Sequence, residues 1–320
     1  MARVLQLPIL KKKSEITGGA ERELFPVPLR LFRPGQEPPC PIYFKPLGHR
    51  RAGGGGAEEA WGYFDPADAG PLVIYLSARL KETEAAADTS AVEKARFVYD
   101  TAVVWIQHVF HGSSEKLTAG QLHLAEHIVR RLYALLSEAG PREAAALVRR
   151  HDAGLFTHSV NVCLLGLAFT RHLGWPAAEA EVFGLGALLH DIGMVFLPRE
   201  LWTKTGPISA EEREAIRTHP QRGVQLLEKF SDLPGTIFYM AAQHHETGDS
   251  SGYPLGLPEQ AIHPWATLLR LLDTYEAMTS IRPWRAPLDS PKALQVLKHG
   301  AGGTSLAPAL LDRLGEFLET

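Results

Sequence analysis

Apolar positions follow two different spacings, which divide the chain into a short-strand region and a long helical region. Before residue 80, short apolar runs alternate with proline and glycine, a pattern typical of β-strands. Such runs predict strands at residues 25–32, 41–47 and 72–76. From Ser90 onward, apolar residues recur with the spacing of a helix face, so the rest of the chain is predicted to be helical.

The helical region is predicted to contain several separate helices. Amphipathic or apolar segments predict them at residues 119–136, 177–189, 235–243 and 265–278. Ser209 and Glu212 have the spacing of a capping box, so another helix is predicted to begin there. The fold class is therefore mainly α, with a small β-containing N-terminal domain.

Shifts in composition along the chain predict four segments. Residues 1–22 are expected to be poorly ordered, 23–80 to form a small β-rich domain, 81–150 to be a helical linker or the start of the helical domain, and 151–320 to be the main helical domain. The glycine run at 53–56 is predicted to be a loop in the β-rich domain. That domain carries no motif with a chemical role. It could be a packing extension or a module that senses a ligand or binds a partner.

Composition and charge narrow the class of protein. The chain has 320 residues, of which 45% are hydrophobic and 22% charged, with a net charge of -3. This balance gives no electrostatic reason to expect polymeric nucleic acid or an acidic membrane as a partner. The apolar patch near the N-terminus is too short for a membrane span. Cys40 and Cys163 are the only cysteines, which favours a reducing compartment, and we expect the cytoplasm.

The strongest chemical signal is a set of histidines and aspartates between residues 158 and 273. The set consists of His158, His190, Asp191, His219, His244, His245 and Asp273. Burying such groups costs free energy because they lose their contacts with water, and a divalent cation offsets that loss most completely. Mixed imidazole and carboxylate donors favour a transition metal, with iron or manganese as our first expectation.

The number of candidate ligands points to two metal ions. Seven ligands exceed what one tetrahedral ion can use, whereas two ions that share Asp191 would use all of them. Two metals roughly 3.5–4 Å apart activate a water molecule and hold both oxygens of a phosphoryl displacement. The expected chemistry is therefore phosphoester hydrolysis.

At these residues the sequence resembles a known family. The His-Asp pair at 190–191, with His158 and Asp273, is similar to the H…HD…D set of the HD phosphohydrolase superfamily. The run His-His-Glu at 244–246, followed by Gly-Tyr-Pro at 252–254, resembles the HD-GYP family, whose members hydrolyse cyclic dinucleotides, chiefly cyclic di-GMP. The resemblance covers about residues 150–290.

The resemblance implies an HD-type helical bundle and a role for each matching residue. One metal would be held by His158, His190, Asp191 and Asp273, and the other by Asp191, His219, His244 and His245. His190 and Asp191 would be the catalytic residues, at a hydroxide that bridges the metals. Arg282 and Arg285 would bind substrate phosphate, and Tyr253 would lie over the site. Gly154 stands where some members hold a third metal with glutamate, so two metals are expected.

Two departures from the family pattern bear on activity. Met194 stands where the family usually has a lysine, and losing that charge would cost about one to three orders of magnitude in rate unless Lys204 or an arginine replaces it. The loop before Tyr253 also departs from the family pattern at Gly248 and Ser250. Both changes leave the proposed metal ligands intact.

Three interpretations follow. The first is a cyclic dinucleotide phosphodiesterase, with cyclic di-GMP favoured and a hybrid cyclic GMP-AMP also compatible. The second is a catalytically weak receptor or scaffold that binds a cyclic dinucleotide or a signalling protein, and a homodimer is compatible with both. The third, another HD phosphohydrolase acting on nucleotides, fits less well because such relatives lack the arrangement at 244–245 and 252–254.

Overall fold

The structure is a computed structural model with two compact units, Met1–Gly112 and Ser113–Thr320. It describes residues 10–12, 24–33, 36–44, 61–111, 117–139, 155–204, 206–281, 285–299 and 308–319. Of the segment 1–22 that was expected to be poorly ordered, only Leu10–Lys12 is described, and it forms a strand. The glycine run at 53–56 lies outside the described residues.

The first unit contains a four-stranded sheet. Its strands are β1 (Leu10–Lys12), β2 (Phe25–Pro28), β3 (Ile42–Phe44) and β4 (Trp61–Phe64), in the order β1-β3-β4-β2. Strand β1 runs parallel to β3, and the β3–β4 and β4–β2 pairs are antiparallel. Val27, Ile42 and Phe64 are fully buried, so one face of the sheet contributes to the core of this unit. Strands are thereby confirmed within residues 25–32 and 41–47.

The predicted strand at residues 72–76 is wrong, because this segment lies in helix α1 (Ala69–Ala85). Leu72, Leu76 and Leu80 are buried at intervals of one helical turn, whereas Ile74 is 72% exposed. A strand would have placed residue 74 on the same face as 72 and 76. A five-residue apolar run fits both structures, and only the length of the flanking helix decides between them.

Helix α2 (Ala91–Phe110) packs against α1 and completes the first unit. It begins at a capping box in which Ser90 and Glu93 bond each other's backbone amides. This satisfies two amide groups that would otherwise lack a partner at the start of the helix.

The second unit is helical in the part that the structure describes. Its helices are α3 (Ala119–Ala139), α4 (Leu155–His172), α5 (Ala177–Leu189), α6 (Glu200–Thr203), α7 (Ala210–Ile216), α8 (His219–Leu227), α9 (Gly235–Gln243), α10 (Pro264–Thr279), α11 (Ser290–Lys298) and α12 (Pro308–Glu319). Helices α5 and α9 have the predicted bounds, and the capping box at Ser209 and Glu212 is present before α7. The mainly α fold class is confirmed.

Helix α5 is the central helix of this unit. It packs against α3, α4 and α9, and most of its side chains after Ala180 are buried. A helix that is apolar on all sides belongs in the interior of a bundle. Its C-terminal end therefore delivers the residues that follow it, His190 and Asp191, into the interior of the protein.

None of the described helices is both long enough and apolar enough to cross a lipid bilayer.

Candidate metal centre

The seven candidate ligands meet in the second unit, although they come from five places in the chain. These places are α4, the C-terminal end of α5, the first residue of α8, the C-terminal end of α9, and α10. The ligands form two groups, one of Asp191, His219, His244 and His245, and one of His158, His190 and Asp273. Within each group, one ligating atom per residue lies within 4.8 Å of the others. His190 Nε2 lies 3.3 Å from Asp191 Oδ2 and links the two groups.

Backbone carbonyls orient three of the imidazole rings. The Nδ1 atom of His190 donates to Ala187 O at 2.7 Å, and that of His219 donates to Ile216 O, also at 2.7 Å. His244 Nδ1 bonds the carbonyls of the preceding helical turn at 3.0 and 3.1 Å. Because a carbonyl only accepts, each Nδ1 carries a proton and each Nε2 is left to bind a metal.

These Nε2 atoms point at one carboxylate and at each other. The Nε2 atoms of His219 and His244 lie 3.2 and 3.6 Å from Asp191 Oδ1, and 3.3 Å from one another. Lone pairs in this arrangement repel unless a proton or a metal ion lies between them. Burial lowers the pKa of His244, which disfavours a proton there. A cation therefore fits the donor set.

Charge is distributed unevenly over the centre. Burial raises the pKa of Asp191, but the charge of His190, with smaller contributions from the neighbouring histidines, outweighs burial and holds that pKa well below the ordinary value. Burial, followed by the charges of His244 and His219, holds the pKa of His245 well below its usual range. Asp191 is therefore an anion and His245 a neutral imidazole at physiological pH, the states in which both bind metals.

Glu276 is a functional residue that sequence analysis missed. Its side chain is 2% exposed and accepts hydrogen bonds from His158 Nδ1 at 2.5 Å and from Asn161 Nδ2 at 2.8 Å. The other nitrogen of His158 lies 2.9 Å from Asp273 Oδ1. Glu276 thus orients a candidate ligand. The available signal was its position one helical turn after Asp273, on the same face of α10.

The two carboxylates also change the charge of His158. Burial lowers the pKa of His158, but Glu276, followed by Asp273, outweighs this and raises the pKa to about 10. His158 is therefore protonated in the metal-free protein. A metal that binds its Nε2 must displace that proton.

A close backbone approach places His219 beside Asp191. A short 3₁₀ helix, Ile192–Phe196, follows Asp191 and packs against α8. A Cβ atom at Gly193 would lie 1.9 Å from the His219 carbonyl oxygen and 2.5 Å from the amide nitrogen of Gly223. Only glycine allows the segment after the His-Asp pair to come this close.

The loop after His245 is folded back onto the centre. The buried Glu246 carboxylate accepts hydrogen bonds from the backbone amides of Leu255 and Leu257, at 2.6 and 2.9 Å. A Cβ atom at Gly252 would lie 2.4 Å from the amide nitrogen of Thr247, so the loop closes tightly. The Tyr253 ring consequently stacks on His245, with centroids 4.6 Å apart and an interplanar angle of 21°.

The described cations proposed to bind substrate have other partners. Lys204 Nζ lies 2.7 and 2.5 Å from the two carboxylate oxygens of Glu212. Arg285 donates to the carbonyls of Ala277 and Met278, at 2.6 and 2.9 Å, at the end of α10. Arg282 lies outside the described residues. Met194 is buried and supplies no charge.

The chain is similar in sequence to known proteins. A protein-family model described as "HD domain" matches residues 142–310. The curated protein "Cyclic di-GMP phosphodiesterase PA4108" of Pseudomonas aeruginosa is 33% identical over 164 residues, which is 51% of this chain and 40% of the relative. The response regulator RpfG of Xanthomonas campestris, also named a cyclic di-GMP phosphodiesterase, is 28% identical over 58% of this chain and 50% of its own length. The chain thus spans half or less of these relatives.

A solved structure supports the fold. The protein Bd1817 of Bdellovibrio bacteriovorus, described as a HDG"Y"P protein, superposes with a TM-score of 0.67 at 18% identity, over 93% of this chain and 100% of the other. The HD-type helical bundle is confirmed. With the histidine and aspartate groups described above, the family match makes the centre a divalent-metal site. Since the match covers just over half of the chain, and the His-Asp pair and the Gly-Tyr-Pro loop meet at one centre, this chain belongs to the HD domain family and, within it, to the HD-GYP family.

Proposed function

We propose that this protein is a phosphodiesterase that hydrolyses a cyclic dinucleotide, with cyclic di-GMP as the favoured substrate. The observation that carries the proposal is the pair of adjacent ligand groups joined at Asp191. A two-metal site suits phosphodiester hydrolysis because it activates water and stabilises both the attacking and the leaving oxygen. Relatives named 3'3'-cGAMP-specific phosphodiesterases, one of them 30% identical over 142 residues, make the hybrid dinucleotide the second substrate to test.

Each side chain of the centre has a defined task in this proposal. His158, His190 and Asp273 would hold one ion, and His219, His244 and His245 the other, with Asp191 between them. Bound ions supply an acidified water and positive charge for the phosphate. The protein contributes a permanently ionised Asp191, imidazoles whose orientation is set by backbone carbonyls, and a buried site. Iron or manganese suits these nitrogen and oxygen donors.

We assign the reaction to residues 151–320 and substrate contacts to Tyr253, Arg282, Arg285 and Lys204. In this proposal Arg285 and Lys204 exchange their present partners for substrate phosphate. The cytoplasm is the proposed location, because Cys40 and Cys163 are free and buried. Residues 23–80 are proposed as the module for a signalling partner, and a homodimer remains part of the proposal.

One observation favours a second candidate, a receptor that binds the dinucleotide and turns it over slowly. Met194 is 8% exposed at the position of the family lysine, and Lys204 is paired with Glu212. A substrate phosphate would lack a positive charge at this position, and charge at such a position contributes about one to three orders of magnitude to a rate.

The test is incubation of the metal-loaded full chain with cyclic di-GMP and, separately, with 3'3'-cGAMP. Linear dinucleotides or mononucleotides separated by chromatography are the expected products, and His244→Ala should abolish them. His123→Ala, which changes a 73% exposed histidine on α3, is the matched control and should retain activity. Binding without product would favour the receptor, and absence of both binding and product would overturn both candidates.

A further inference from the structure

A series of contacts leads from the metal centre through Tyr253 to an exposed arginine. The imidazole of His245 stacks on the Tyr253 ring, and the guanidinium carbon of Arg217 lies 5.1 Å from the centroid of that ring. Arg217 follows helix α7, and its side chain is 45% exposed. An exposed cation is therefore in contact with a residue that itself contacts a candidate metal ligand.

We propose that Arg217 binds the phosphodiester of the cyclic dinucleotide that is not at the metal centre. This inference rests on the proposed function and adds to it a residue that determines specificity. A cyclic dinucleotide carries two phosphodiesters in one ring, so a two-metal site that holds one of them leaves the other to be bound by the protein. The protein needs a second cationic group for that purpose.

Arg217 is better placed for this task than Lys204 or Arg285. Lys204 pairs with both carboxylate oxygens of Glu212, and Arg285 is bound to two helix carbonyls. Within the part of the chain that the structure describes, Arg217 has one acidic partner, Glu214, at 3.6 Å. The side chain of Glu214 is 72% exposed, and such exposed pairs contribute about 0–1 kcal/mol. A substrate phosphate can therefore displace Glu214 at little cost.

The surroundings of Arg217 provide room for a ligand. An open cavity of about 730 Å³ lies along α7 and is lined by Ala210, Glu211, Arg213, Glu214 and Arg217. Of these residues, Arg217 is the one whose charged group lies against Tyr253. Because Glu211 and Glu214 repel anions, a phosphate is expected on the Tyr253 side of the guanidinium and not in the outer part of the cavity.

The chemistry of arginine suits the second phosphate. A planar guanidinium can contact an aromatic ring and still donate two parallel hydrogen bonds to phosphate from its N–H edge. The two centroid distances place the guanidinium carbon of Arg217 no more than about 10 Å from the His245 ring centre. A ligand of the size of a cyclic dinucleotide can span that separation.

The experiment compares two substrates in the metal-loaded full chain. Cyclic di-GMP has a second phosphodiester, whereas bis(p-nitrophenyl) phosphate has one phosphodiester and no nucleobase. For Arg217→Met we expect the KM for cyclic di-GMP to rise about 10- to 100-fold, because the variant loses one charged hydrogen-bonding group. For the same variant, the kcat and KM for bis(p-nitrophenyl) phosphate and the metal content should stay within about twofold of the wild-type values. Arg217→Lys should give an intermediate KM. Arg313→Met is the matched control, because Arg313 is 47% exposed and pairs with an acid three residues away, and it should leave the kinetics with both substrates unchanged.

The outcomes separate three explanations. An unchanged KM for cyclic di-GMP would overturn the inference. Equal losses of kcat/KM with both substrates, together with a lower metal content or a lower Tm, would show that Arg217 only supports Tyr253. That result would also overturn the inference. If the wild-type protein hydrolyses neither substrate, the proposed function fails. The inference is then decided by the Kd for cyclic di-GMP, which must weaken in Arg217→Met.

Discussion

In the proposed two-metal centre, replacing Gly193 by alanine should remove one of the two ions. The new Cβ atom would lie 1.9 Å from the His219 carbonyl oxygen, whereas ordinary contact begins at 3.4 Å. The neighbouring backbone must therefore retreat by about 1.5 Å. Metal–ligand distances tolerate only about 0.2 Å of variation, so His219 can no longer share an ion with Asp191 at its present position.

The same geometry predicts the effect on stability. Both atoms that meet the new methyl group are backbone atoms, so no side-chain rotation relieves the clash. Overpacking of this kind costs about 1–3 kcal/mol in the free energy of unfolding. In a unit of this size, each kcal/mol lowers Tm by roughly 2–4 °C.

The assay is elemental analysis of manganese-loaded protein after dialysis, with Tm measured on the same samples. We expect two equivalents in the wild type and one in Gly193→Ala, because His219 is a proposed ligand of one ion only. Gly235→Ala is the matched control, since a Cβ atom there meets nothing within 4 Å. His219→Ala removes the ligand without the clash and should show the same metal loss. Two equivalents and an unchanged Tm in Gly193→Ala would refute this reasoning.

Three further predictions follow from the contacts of the centre. In metal-free protein, Glu276→Gln should lower the pKa of His158 from about 10, measured by NMR titration, because Glu276 is the largest contribution that raises it. Since that pKa lies above the ordinary value of about 6.5, the stability that His158 contributes is present below about pH 6.5 and is lost as pH rises towards 10. The loss should be smaller in Glu276→Gln, and equal pH profiles would contradict the assignment. Glu246→Gln should weaken the bonds to Leu255 and Leu257 by about 1.5–3 kcal/mol, seen as faster amide exchange at those two positions with metal content retained; unchanged exchange would show that the carboxylate does not hold the loop. Manganese at about 100 times its Kd should stabilise the protein by roughly 2.7 kcal/mol, and chelation should reverse the gain in Tm; a Tm that is independent of metal would contradict a site formed only in the folded state.

Much of the helical domain was predictable because its signals are local. The bounds of helices α5 and α9 and the capping box at Ser209 depend on residues within one or two turns of each other. The strand predicted at residues 72–76 failed because five apolar residues satisfy two periodicities, and the buried face of α1 became visible only with Leu80 and the exposed Ile74 in place.

The candidate ligands could be proposed from the sequence because their residue types and order carry the signal. Their partners could not. Glu276 and His158 are 118 positions apart; the position of Glu276 one turn after Asp273 places it on the ligand face of α10 but does not show which histidine it meets. Similarly, the sequence does not show that the ammonium group of Lys204 lies at the two carboxylate oxygens of Glu212.

The sequence by itself determined most helices of the second unit and the chemical character of the centre, since periodicity and side-chain chemistry depend on near neighbours. Only the tertiary structure decided which rings are oriented by which carbonyls, which acid supports His158, and which cation lies against Tyr253. Those contacts depend on how close distant segments approach when they pack, as at Gly193, and that distance is a property of the folded protein.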